Sequence, residues 1–144
     1  MKTLFALLAL FTMTAHAIDF SSSAPASDAD WTAFLDAVAL VESGGKTDVS
    51  ITDVNGKKSV GCLQIQQPYL TDSRLSYTLS EMTDKAKAYA VAKAYLQRYA
   101  KHYKRVTGKD ATFEVLARIH NGGPTGWSKA ATVAYANKVK AKFQ

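Results

Sequence analysis

Val41-Glu42-Ser43-Gly44-Gly45 closes one helical pattern, and Gly61-Cys62-Leu63-Gln64-Ile65 opens the next. Upstream, Trp31, Phe34, Leu35, Val38 and Val41 recur at spacings of three and four, the apolar stripe of an amphipathic helix. Ser27 or Asp28 can cap its start, and Gly44-Gly45 stops it. Glu42 is therefore expected in the last turn, where the carbonyl end of the helix carries partial negative charge and disfavours a carboxylate. Between the two stretches, Val49, Ile51 and Val54 alternate roughly. Asn55-Gly56 then supplies a strong hairpin signal, with positive φ expected at both central residues. The expectation is a small β-hairpin over about Val49 to Val60, with Lys57 and Lys58 at its polar tip.

Downstream, Leu63 to Leu70 reads as a short helix starting near Gly61 and irregular at Pro68. Thr78-Leu79-Ser80-Glu81 fits a capping box for a helix running to Arg105 and closed by Gly108. Val91, Tyr95, Leu96, Tyr99 and Tyr103 form its stripe, and such a tyrosine row serves core packing first. Thr112 or Asp110 can cap a further helix that carries Phe113, Leu116 and Ile119 and ends at His120. Asn121-Gly122-Gly123-Pro124-Thr125-Gly126 reads as a loop. Ser128 can cap the last helix, with Val133, Ala136, Val139 and Phe143 partly in register. The fold class expected is α+β, mainly helical, with one small β-hairpin and no internal repeat.

Met1-Lys2, the apolar run from Leu4 to Met13 and Ala15-His16-Ala17 have the layout of a secretory signal peptide, residues 1–17. The run is short for a membrane span, which needs about 20 apolar residues, so no membrane anchor is expected after cleavage. The Ser- and Ala-rich segment 18–27 reads as a flexible tail, and 28–144 as one domain. Without Lys2 the chain keeps 17 Lys+Arg against 12 Asp+Glu, a net charge of +5. Such a surface favours encounter with polyanions. The basic residues are spread along helices without interleaved Arg and aromatics, so no nucleic-acid partner is expected. With one cysteine, Cys62, the chain can form no internal disulfide. Cys62 reads as a small buried hydrophobe, and stability must come from packing.

Two carboxylates carry the chemistry. Breaking a glycosidic bond needs one protonated acid at the leaving oxygen and commonly a second carboxylate near the anomeric carbon. The helix end acting on Glu42 contributes about 0.3–1 kcal/mol. That is too little to keep a carboxyl protonated near neutrality, so burial must raise it further. Asp53, in a polar turn, suits the ionised partner. Ordinary turn chemistry is its competing reading, and Asp48 is the rival acid. His120 suits a general base, a substrate contact or a helix cap. Ser59 beside Lys57 and Lys58 reads as solvated. No metal or cofactor is expected: His16, His102 and His120 make no ligand set, and no phosphate loop is present.

Ala117-Arg118-Ile119-His120-Asn121-Gly122-Gly123-Pro124, then Gly126, Ala131-Thr132-Val133, Tyr135 and Asn137-Lys138-Val139, resembles the C-terminal part of invertebrate-type lysozymes, the destabilase family. Glu42-Ser43, Asp53-Val54, Ser59, Gly61, Gln64-Ile65, Tyr69 and Asp72 fall in the order of that family's N-terminal part. The resemblance implies a lysozyme-like domain. It implies cleavage of the β-1,4 bond between N-acetylmuramic acid and N-acetylglucosamine in peptidoglycan. Glu42 would be the general acid and Asp53 the nucleophile or ion stabiliser. Gln64, Tyr69, His120, Asn121 and Gly122 would bind substrate. The protein would be a secreted or periplasmic, bacteriolytic monomer. Two rivals stand beside this: a lytic transglycosylase with a single catalytic Glu, and a non-catalytic cationic wall-binding protein. The family is rich in disulfides, and this chain is not. Gln66 stands where a lysine often follows Gln-Ile, so the isopeptidase activity of some members is not expected.

Overall fold

Helix α1 (Asp28–Ser43) starts at the expected cap in this computed structural model, which describes residues 19–23 and 27–143. The signal-peptide segment 1–17 lies outside the described residues. Ser27 Oγ accepts the Asp30 N–H at 3.2 Å, and Asp30 Oδ2 accepts the Ser27 N–H at 3.0 Å, which satisfies two orphan donors reciprocally. Gly44, at φ 66°, closes the helix. Its N–H donates to the Leu40 carbonyl, and the Gly45 N–H donates to the Ala39 carbonyl. Trp31, Phe34, Leu35 and Val38 are buried as the stripe required.

The β region is a three-stranded antiparallel sheet in the order β1 (Ser50–Thr52), β2 (Lys58–Val60), β3 (Ile65–Gln66). The hairpin was expected; the third strand was not. The turn also differs from expectation. Positive φ occurs at Gly56 and not at Asn55, because the connection spans residues 53–57. The Gly56 N–H closes onto the Asp53 carbonyl, and the Asp53 N–H donates to the Lys57 carbonyl. Ile51, Ser59 and Gln66 are cross-strand neighbours, so they share one face of the sheet. Val60 and Ile65 pair on the other face and are buried.

No helix opens at Gly61. Gly61 (φ 80°) and Gln64 (φ 51°) form a left-handed corner, the chain pairs as β3, and only then does α2 (Gln67–Ser73) begin. Pro68 sits in the first turn of α2, where its missing N–H has no partner to lose. Gly61 is required twice over, since a Cβ there would also collide with the Met82 carbonyl. The Thr78–Glu81 capping box forms, but it serves a 3₁₀ turn at Leu79–Thr83. Helix α3 (Lys85–Thr107) starts afresh at Asp84, whose carboxylate accepts the Lys87 N–H.

Helix α4 (Phe113–Gly122), capped by Thr112, carries on through Asn121 and Gly122, two residues expected in the loop. Two 3₁₀ turns, Gly126–Ser128 and Ala130–Thr132, precede α5 (Val133–Lys142). Ser128 therefore lies inside a turn, with its hydroxyl on the Thr125 carbonyl, and does not cap α5.

One core joins these elements: Phe34, Leu63, Met82, Val91, Leu96, Phe113, Leu116 and Ile119 are each almost wholly buried. Cys62 is a buried free thiol, and burial pushes its pKa up. Residues 19–23 do not behave as the flexible tail expected of segment 18–27. Phe20 is buried against Phe113 and Phe143, its carbonyl accepts the Glu114 N–H, and Ser23 bridges to Thr112. A phenylalanine in a Ser/Ala-rich segment is the local sign of that docking.

Candidate active site

A cavity of about 470 Å³ lies where the C-terminal end of α1 meets the sheet, α2, α3 and the end of α4. The sheet contributes Ile51, Ser59 and Gln66, the row of neighbours on one face. Helix α2 contributes Pro68, Tyr69 and Asp72, and α3 contributes Tyr95. His120 and Asn121 come from the last turn of α4, with Gly123 and Pro124 following. Gln64 also lines it; this non-glycine residue is held at positive φ, a costly conformation. Its side-chain amide donates to the Gly61 carbonyl at 2.9 Å.

Glu42 enters from the last turn of α1. Its Oε1 accepts the Tyr135 hydroxyl at 2.6 Å, the length of a charge-assisted O–H···O⁻ bond. The same oxygen lies 3.5 Å from His120 Nε2, and the His120 side chain is 4% exposed. Tyr69 Oη meets His120 Nδ1 at 3.0 Å. The Tyr69 ring in turn stacks on Tyr95 with centroids 3.6 Å apart. Oε1 is thus occupied by neighbours, and among the described residues Oε2 takes no hydrogen bond.

The electrostatics reverse one expectation. Burial is the largest influence on Glu42 and raises its pKa, as expected. The hydrogen bond and charge of His120, with the Tyr135 hydrogen bond, outweigh it, and the net direction is down. The periodicity of α1 says nothing of either partner, because His120 and Tyr135 arrive on α4 and α5. Tyr69 and Tyr135 are both raised, chiefly by burial, so both phenols keep their protons, and Tyr135 donates to Glu42.

Of the residues expected in the site, Glu42, Gln64, Tyr69, His120 and Asn121 line the cavity, and Asp53 and Gly122 do not. Asp53 is exposed at the start of its turn, where Oδ1 accepts the N–H groups of Asn55 (2.8 Å) and Lys57 (2.9 Å). This is the local turn chemistry open to any Asp two residues before Asn-Gly. Gly122 packs where a Cβ would press on Thr132 Cγ2, and its carbonyl accepts Lys129 Nζ at 2.6 Å. Tyr135, Asp72 and Tyr95 received no site role from the sequence. Nothing local marks them; the resemblance alone picked out Tyr135 and Asp72.

Tyr135→Phe should test the Glu42 bond directly. The phenol stabilises the charged carboxylate, so its loss raises the Glu42 pKa. The folded-state pKa of Glu42 lies below its ordinary value of 4.5. Its contribution to stability is therefore present above about pH 4.5 and fades as pH falls through the lowered pKa. Near neutral pH the variant should lose about 1.5–3 kcal/mol, the range for a hydrogen bond to a charged group. Urea titrations at two pH values would check this.

No family model matches the sequence. The lysozyme of Ostrea edulis is 33% identical over 115 residues, 79% of this chain and 82% of that protein. Invertebrate-type lysozyme 3 of Caenorhabditis elegans is 35% identical, over 74% of this chain and 81% of that protein. Among solved structures, the inhibitor-bound lysozyme of Meretrix lusoria has a TM-score of 0.65 at 31% identity, covering 76% of this chain and 87% of that one. Tapes japonica lysozyme has a TM-score of 0.65 at 32% identity, covering 75% and 86%. Sequence and fold agree, and the chain belongs to the invertebrate-type lysozymes, a family of glycoside hydrolases.

Proposed function

We propose that this protein is a secreted muramidase that hydrolyses the β-1,4 bond between N-acetylmuramic acid and N-acetylglucosamine in peptidoglycan. The observation that carries the reading is Glu42: a largely buried carboxylate on a rigid helix end, facing a cleft, with Oε1 held by Tyr135 and His120. A sugar that displaces water from the cleft strengthens desolvation, already the largest influence on Glu42, and so favours the protonated carboxyl. Glu42 Oε2 then protonates the leaving oxygen. Asp53 serves as nucleophile or ion stabiliser, and water completes the reaction with retention. Gln64, Tyr69, His120 and Asn121 hold the sugar chain. Among the described residues no helix is long and apolar enough to cross a membrane. The +5 charge suits an anionic wall.

One observation favours a second reading. Asp53 is bound to its own turn and does not line the cavity, which suits a lytic transglycosylase with Glu42 as the single acid. Asp53→Asn separates the two. Under hydrolysis, activity on purified peptidoglycan falls at least about 100-fold, and the wild-type products carry the added water in mass spectra. Near-normal turnover with 1,6-anhydro products would replace the hydrolase reading with the transglycosylase one. Binding to walls with no new product of either kind would leave only the cationic wall-binding role.

A further inference from the structure

The cavity is lined by two carboxylates among the described residues, Glu42 and Asp72, and the mechanism above uses only one. Asp72 lies on the same face of α2 as Tyr69, one turn further on. It is reached from Glu42 along the row Tyr69, Tyr95, Tyr99, whose successive rings lie 3.6 and 4.8 Å apart. Two neighbours on α3 hold it. Tyr99 Oη donates to Asp72 Oδ2 at 2.6 Å, and Arg98 Nη1 donates to the Asp72 carbonyl at 2.9 Å. The Arg98 guanidinium also lies over the Tyr99 ring, 5.6 Å from its centroid.

We propose that Asp72 is a substrate-binding carboxylate, accepting a hydroxyl or acetamido N–H of an N-acetylated sugar one step along the cleft from Glu42. A carboxylate has about four acceptor sites. Tyr99 fills one, and Oδ1 takes no hydrogen bond from the described residues. What remains is a fixed, acceptor-only group at the wall of an open cleft. Its ligand must bring donors, and hydroxyl and amide N–H groups are what a glycan offers. Ile51, also in the cleft and 54% exposed, supplies apolar contact for a ring face. One face each of Tyr69 and Tyr95 is stacked against the other, and Asp72 adds recognition by hydrogen bond at this end. Tyr99 sets the carboxylate before binding, which spares the ordering cost of a free side chain.

This rests on the glycan-cleaving reading, so the test measures binding apart from cleavage. The Glu42→Gln chain is titrated calorimetrically with an N-acetylglucosamine tetramer, and with a glycan of the same length that carries stem peptides. Adding Asp72→Asn should weaken both by about 10- to 100-fold, the effect of losing a hydrogen bond to a charged group. In the active chain, Asp72→Asn should raise KM more than it lowers kcat. Unchanged affinity for the peptide-free tetramer overturns the proposal. A loss confined to the peptide-bearing glycan also overturns it, and assigns Asp72 to a peptide ammonium instead. If Asp72→Asn does not fold, Tyr99→Phe decides: the freed carboxylate should cost several-fold in affinity, and no change at all refutes the role. A wild-type chain that binds the tetramer but cuts no glycan would fail the hydrolase reading alone.

Discussion

Glu42→Gln should abolish peptidoglycan turnover, with kcat falling by about 100- to 10,000-fold, the range for removal of a positioned general acid. The substitution is nearly isosteric. The glutamine Oε1 can still accept the Tyr135 hydroxyl that now lies 2.6 Å away, so the end of α1 should stay where it is. What the amide cannot do is give up a proton to the leaving oxygen. Turnover should be read as reducing ends released from purified walls, with circular dichroism recorded on the same sample. A folded variant that cuts walls at more than a tenth of the wild-type rate removes Glu42 from the mechanism. Since His120 touches the same oxygen, substitution at His120 should be less than additive with Glu42→Gln, as expected of groups that act as a unit.

Phe34→Ala should be the most destabilising single core substitution, at about 3–5 kcal/mol. Phe34 has no exposed surface and sits in a ring cluster that ties together distant parts of the chain. Its centroid lies 5.3 Å from Phe113, 6.3 Å from Trp31 and 6.4 Å from Phe143, and Phe20 packs on Phe113 and Phe143. The docked N-terminal segment, α1, α4 and the end of α5 thus meet in aromatic contacts. The one cysteine, Cys62, is free and buried, so no disulfide limits the unfolded chain. The folding free energy of a domain is only about 5–15 kcal/mol, and this loss takes a large part of it. Urea denaturation should show the midpoint fall with the slope unchanged. A loss under about 1 kcal/mol would mean the cluster is not what replaces cross-links here.

Expectation and structure part company at particular residues. The Asn55-Gly56 signal correctly placed a reversal, yet the turn spans 53–57 because Asp53 closes it with its own carboxylate. That competition between side chain and backbone is local but subtle, and a dipeptide rule does not resolve it. Gly61 looked like a helix start. Its positive φ instead made a corner, and the close approach of Met82 that demands glycine there comes from a segment far along the chain. Asn121-Gly122 looked like loop, but the helix continues because Thr132 and Lys129 pack against and bond Gly122.

The sequence by itself determined what short-range forces decide: the extent and caps of α1, the hairpin, the stripes of α3 and α4, and hence a mainly helical α+β domain. It also determined that Glu42 ends a helix at the edge of a glycine-rich break. Only tertiary structure decided the state of that carboxylate. Its hydroxyl partner lies 93 residues away on α5, and its imidazole partner on α4. Periodicity and capping act within a turn or two of chain, whereas the charge on a buried acid depends on whichever groups the folded chain brings within a few ångströms.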